Sequence, residues 1–143
     1  MFDRILVPVD GSDHSRRALR IAATEFETNE IVVLHVLDPF RAASTTEEAV
    51  WNREYMDERE REAEELLEEY AELGAEFDVP VRTELARGSP ARAIVGAVDD
   101  LDVDHVVVGS QGRSGIGRVL LGSVAETVSR RAPVSVTIVR PEE

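Results

Sequence analysis

Short runs dense in β-branched residues alternate with helical patterns along this chain, and that alternation limits the fold more than any other feature. Arg4–Val9 is apolar almost without a break after Arg4, the pattern of a strand covered on both faces. Gly11, Ser12 and Asp13 then open a helix, with Ser12 as N-cap and Ala18, Leu19, Ala22 and Phe26 along its apolar face. Ile31–Val36 is the second strand. A loop with Pro39, Ser44, Thr45 and Thr46 leads into a long acidic helix over Glu47–Leu73, stopped by Gly74. Its second half places Ala63, Leu66, Leu67, Tyr70 and Leu73 on one stripe. Val79–Glu84 is a weaker strand that Pro80 sends to a sheet edge. Ser89 and Pro90 supply the N-cap and first position of a helix whose face carries Ala91, Ile94, Val95, Val98 and Leu101. His105–Gly109 is the fourth strand. A glycine-rich loop runs to Gly122, a short helix spans Ser123–Arg131 before Pro133, and Val134–Val139 closes the series.

Strand–helix alternation of this kind needs right-handed crossovers and yields a parallel sheet with helices on both faces. The expectation is one doubly wound, Rossmann-like α/β domain over residues 1–143, long enough to bury a sizeable core. No apolar run nears the ~20 residues that cross a bilayer. Met1–Ile5 has no basic segment leading into a hydrophobic stretch, so the cytoplasm is the expected location. Without cysteine, disulfide, thiol and thiolate-metal chemistry are excluded.

Sixteen basic residues stand against 29 acidic ones, a formal net charge of −13. That balance argues against nucleic acids and anionic membranes as partners, since both require phosphates to be neutralised. Every basic residue is arginine. Codon bias would explain this silently. Adaptation to molar salt, where screening shortens to ~3 Å, explains the missing lysine and the excess acid together and is the reading preferred.

In open α/β sheets ligands bind beyond the carboxyl ends of the strands, where strand order reverses. The loops after the first and fourth strands are therefore the candidates: Pro8-Val9-Asp10-Gly11-Ser12, and Gly109 to Ser123 with glycines at 112, 115, 117 and 122. Glycines let backbone N–H groups approach an anion, and a helix beginning at Ser123 offers free donors and a positive dipole. Arg113 and Arg118 would add charge for a triphosphate. A ligand-free reading is equally specific: Ser123 and Glu126 form a capping box and satisfy each other's backbone donors. Other nucleotide loops fail. A Walker A loop needs lysine, and a dinucleotide fingerprint should follow the first strand, where the chain reads Asp10-Gly-Ser-Asp-His-Ser15.

The spacing Gly109-x2-Gly112-x9-Gly122-Ser123 resembles the ATP-binding pattern of the universal stress protein family. The first strand running into Asp10-Gly11-Ser12, the second ending His35-Val36, and the closing Pro133–Val139 are also similar to that family. The resemblance implies a five-stranded parallel sheet in order 3-2-1-4-5. It implies ATP or another adenine nucleotide as ligand; the metal is left open, with Mg2+ as the candidate. Asp10 would sit at the adenosine, Pro8, Val9, Val36 and Val108 would line the adenine and ribose pocket, and Gly109, Gly112, Gly122, Ser123 and Val124 would wrap ribose and phosphates. Asp10 has its own physical reason, since a carboxylate at a strand end accepts hydrogen bonds from ribose hydroxyls or an adenine amine; the competing reading is a turn residue paired with Gly11. The resemblance also implies a homodimer through Val134–Val139, a stretch without charge to discourage edge pairing.

His14, His35 and His105 lie on different elements without ligand spacing, and no nucleophile–base arrangement includes them. Asp99, Asp100, Asp102 and Asp104 read as solvated helix-end carboxylates rather than a metal site. Asp57 and Arg61 are spaced for an ion pair on the long helix, and Trp51, Tyr55 and Met56 for an interaction patch at its start. The function expected is a stress-response regulator that binds ATP as a homodimer, hydrolyses it at most slowly, and signals to a protein partner the sequence does not name. Two competitors are an adenylating enzyme of the ATP-pyrophosphatase kind, whose serine-rich loop after the first strand is only half matched here, and a nucleotide-free dimeric scaffold. From the charge pattern, far-UV circular dichroism loses intensity as KCl is lowered from molar to millimolar; a constant spectrum refutes the salt reading.

Overall fold

The computed structural model describes residues 1–38, 53–110 and 122–141. Among the described residues nine elements follow in order: β1 (Ile5–Val9), α1 (Asp13–Glu25), β2 (Ile31–Leu37), α2 (Arg53–Gly74), β3 (Val81–Arg87), α3 (Pro90–Asp100), β4 (His105–Gly109), α4 (Ser123–Arg131) and β5 (Ser135–Val139). The strands form one sheet in the order β3-β2-β1-β4-β5, and each neighbouring pair is parallel. This is the doubly wound α/β fold the alternation requires. The expected loop at Pro39–Thr46, the start of the long helix and Trp51 lie outside the described residues.

The edge position of β3 has a local cause. Pro80 offers no N–H, and its carbonyl accepts from Ile31 at 2.9 Å, so regular pairing starts one residue later, at Val81 with Ile31. The strand then runs to Arg87, farther than its sequence suggests. On α2, Arg61 pairs with Glu58 at 3.2 Å rather than with Asp57.

Side chains alternate across the sheet and build two cores. Ile5, Val7, Val9, Ile31, Val33 and Val107 pack with Ala18, Leu19, Ala22, Leu67 and Tyr70 under α1 and α2. Leu6, Val32, Leu34, Val106 and Val108 pack with Ile94, Ala97, Val98, Ala125 and Val128 under α3 and α4. β1 is buried along its whole length, as is β4. Each such aliphatic side chain contributes about 1.5–3 kcal/mol on burial, and burial on both faces explains why these strands read as continuous apolar runs.

A polar frame closes the amino ends of the strands. The Asp104 carboxylate accepts the N–H groups of Asp3 and Arg4, each at 2.9 Å. Arg4 reaches Glu30 at 2.6 Å and the Leu101 carbonyl at 2.8 Å. Desolvation pushes the Asp104 carboxyl up, but the backbone donors of Asp3, Arg4 and Asp104 itself outweigh it and leave its pKa below the usual aspartate value. This member of the acidic cluster therefore anchors backbone, while Asp99, Asp100 and Asp102 are exposed.

Beside that frame the buried His105 imidazole stacks on Phe2, with ring centroids 4.4 Å apart and planes 6° from parallel, while its Nε2 lies 2.8 Å from Thr137 Oγ1. Burial pulls its pKa below 6.5, against the opposing charge of Asp104. The unfolded chain thus binds a proton at a pH where the folded chain does not, and the stability His105 contributes above that pH is lost as pH falls through the lowered pKa. Urea midpoints accordingly fall between about pH 7 and 5.5, and the fall is smaller in His105→Gln, whose side chain does not titrate.

Candidate functional site

β1 and β4 are neighbours that pair only at their amino-terminal halves, Ile5 with His105 and Leu6 with Val106. The connection from β1 leads to β2 on one side, and β4 leads to β5 on the other. A crevice therefore opens at the carboxyl ends of β1 and β4, where the strand order reverses.

The loop after β1 is held by its own polar groups. Gly11 takes φ +86°, in the left-handed region that a side chain disfavours. That turn brings the Ser12 N–H to Asp10 Oδ1 at 2.9 Å. Ser15 Oγ lies 3.2 Å from the same carboxylate oxygen, and Ser12 Oγ caps α1 by accepting the Ser15 N–H at 3.2 Å. Ser12 is thus the N-cap its position suggested, and Asp10 makes the turn that its competing reading required. Behind this loop stands Tyr70 of α2, 1% exposed. Its hydroxyl accepts the Gly11 N–H at 3.2 Å and lies 2.5 Å from Ser15 Oγ. Burial, ahead of every opposing contact, raises the pKa of this phenol.

The second wall starts at Gly109. A Cβ at this position would lie 3.0 Å from His14 Cβ and 3.1 Å from the His14 backbone carbon and oxygen. The first turn of α1 crosses directly over the end of β4, a close approach that favours glycine whether or not a ligand binds. Beyond it, Ser110 N–H donates to the Val139 carbonyl at 2.8 Å and Gly122 N–H to the Ser110 carbonyl at 2.6 Å. The two ends of the following loop are therefore pinned together. Gly112, Arg113 and Arg118 lie outside the described residues.

The start of α4 corrects the capping-box reading. Gly122, not Ser123, is the N-cap, with extended backbone at φ −63° and ψ 152° and no side chain to bond the first turn. Ser123 is already helical and so cannot act as an N-cap, while the Glu126 carboxylate turns to Arg130 at 3.7 Å. A glycine cap leaves the helix's amino end without a side-chain acceptor, the condition under which an anion is received best.

The remaining expected site residues divide between the faces of the sheet. Val108 and Val36 lie on the α3–α4 side, and Pro8, two residues after Leu6, shares that face by alternation. Val124 packs on the same side. Val9 faces the α1–α2 core, and its carbonyl lies 2.8 Å from His35 Nδ1. His35 is thus bonded within the fold. Among the described residues, His14 Nδ1 is buried without a hydrogen-bond partner. Sequence reasoning passed over Ser15 and the tyrosine hydroxyl; the one available signal was that a tyrosine on a buried stripe needs a partner for its hydroxyl. Gly109→Ala costs about 1–3 kcal/mol by overpacking against α1, read as a lower urea midpoint. An unchanged midpoint refutes the close approach.

With this geometry in view, comparison with known proteins is direct. The profile of the universal stress protein family matches residues 1–140. A universal stress protein of Methanocaldococcus jannaschii is 33% identical over 144 residues, covering 98% of this chain and 83% of its own length. The solved structure of hypothetical protein MJ0577 superposes with a TM-score of 0.86 at 28% identity, covering 100% of this chain and 99% of that one. The universal stress protein of Archaeoglobus fulgidus in complex with dAMP superposes at 0.69 with 26% identity, covering 96% and 98% of the two chains. Sequence and fold together place this chain in the universal stress protein family.

Proposed function

We propose that this chain is a regulatory ATP-binding protein of the stress response, working as a homodimer. The observation that carries the reading is the amino end of α4, capped only by Gly122 and bonded to Ser110 at the carboxyl end of β4, the strand beside β1. Gly109, Gly112, Gly122, Ser123 and Val124 would hold ribose and phosphates through backbone donors, and Asp10 would meet the adenosine. Pro8, Val36 and Val108 would line the base from the α3–α4 side, with Val9 behind them. The dAMP complex of the Archaeoglobus fulgidus relative supports an adenine nucleotide as the class of ligand.

Such a site binds with neutral donors and a helix dipole, which hold a nucleotide without activating water. Fast phosphoryl transfer would add a positioned base and a metal clamp. Mg2+ would arrive on the phosphates, because among the described residues no group of three or more His, Asp or Glu could hold an ion. Val134, Val136 and Ile138 are only half-buried along the β5 edge, which supports pairing between two copies.

The protein is purified in molar KCl, stripped of nucleotide and titrated with ATP and Mg2+ by calorimetry beside Gly122→Trp. Micromolar affinity lost in the variant is expected; absence of heat refutes the reading. Release of pyrophosphate from ATP would instead favour the adenylating enzyme. Sedimentation at the same salt reports a dimer, and Val136→Glu together with Ile138→Glu shifts it to monomer.

A further inference from the structure

Tyr70 belongs to α2, yet its hydroxyl ends inside the loop after β1. We infer that Tyr70 is a positioning residue for ligand recognition, acting through Ser15 to fix the Asp10 carboxylate at the crevice. The inference rests on the adenine-nucleotide reading of the site and adds the residue that orients its carboxylate.

Proton accounting supports the role. Either hydroxyl can donate across the Tyr70–Ser15 contact; with the phenol oxygen accepting the Gly11 N–H, the inferred role directs the single phenol proton to Ser15 Oγ. Ser15 in turn has one proton, shared between Asp10 Oδ1 at 3.2 Å and the Ser12 carbonyl at 3.0 Å. Its oxygen also lies 3.3 Å from the Asp10 N–H. In that arrangement donation runs from core to loop, and the serine proton is divided between the Ser12 carbonyl and Asp10 Oδ1, the oxygen that also accepts the Ser12 N–H. Hydrogen bonds in series strengthen one another at low local dielectric, and Ser15 and Tyr70, 4% and 1% exposed, provide that setting.

Packing alone does not account for a tyrosine here. Phenylalanine would fill the same volume without a hydroxyl to desolvate. The hydroxyl gives the loop a partner on a separate helix, so the Asp10 orientation is tied to the docking of α2. The coupling is reciprocal: ligand bound at Asp10 strengthens the seating of Tyr70.

Tyr70→Phe is compared with the unmodified chain and with Asp10→Ala, by calorimetric titration with AMP up to millimolar concentration. The phenylalanine variant keeps its far-UV spectrum and binds AMP about tenfold more weakly. Beside Asp10→Ala the same substitution changes the affinity by less than about twofold, because the group through which it acts is gone. An unchanged Kd, or an equal loss in both backgrounds as a merely structural tyrosine gives, overturns the inference. A second readout needs no ligand: in the nucleotide-free protein the Gly11 and Ser12 amides exchange with solvent about tenfold faster in Tyr70→Phe. Unchanged exchange also overturns it. Failure of the unmodified chain to bind AMP, with exchange responding as expected, refutes the adenine-nucleotide reading and with it the ligand role, while leaving the tyrosine's hold on the loop established.

Discussion

The contact between the first turn of α1 and the bare backbone of Gly109 decides where the rest of the carboxyl edge can go. Because α1 must pass over the end of β4, the chain leaving β1 turns sharply at Gly11, and that turn aims Asp10 and Ser12 at one another. The same crossing accompanies the parting of β1 and β4 after Leu6 and Val106. Sheet order, glycine placement and loop conformation are thus one constraint expressed three times. A side chain at position 109 would press on the first turn of α1 at His14, quite apart from any contact with a ligand.

The chemistry available at this edge suits a chain with a net charge of −13 and no lysine. An anion approaching it meets long-range repulsion that ordinary salt shortens to a Debye length of ~10 Å. Short-range attraction is available from donors without formal charge: backbone N–H groups and the glycine-capped end of α4. Such donors are preorganised, so little ordering cost accompanies binding. The opposite edge of the sheet concentrates charged and aromatic contacts, with Asp104, Arg4, Glu30 and the His105 stack. The polar frame and the candidate site lie at opposite ends of the strands.

Much of this was legible in the sequence because it depends on period and punctuation. β1 and β4 read as strands buried on both faces, Pro80 marked an edge, and Ser12 and Ser89 each precede a helix. Ser123 misled because a serine three residues before a glutamate looks the same whether the helix begins at the serine or just ahead of it; the backbone placed the cap on Gly122. Asp10 was legible as an important carboxylate, but its partners Ser15 and Tyr70 were not. One lies five residues away and the other sixty, and no local pattern announces a hydroxyl that crosses from one helix to the loop of another.

The bond from the Gly122 N–H to the Ser110 carbonyl has a bearing on how such a protein can change over time. It joins the end of β4 to the start of α4 beside the point where the Ser110 N–H meets the Val139 carbonyl, so main-chain bonds hold this junction. Because both bonds run between main-chain groups that every residue but proline can supply, side chains at positions 110 and 122 can change while the junction stays in place.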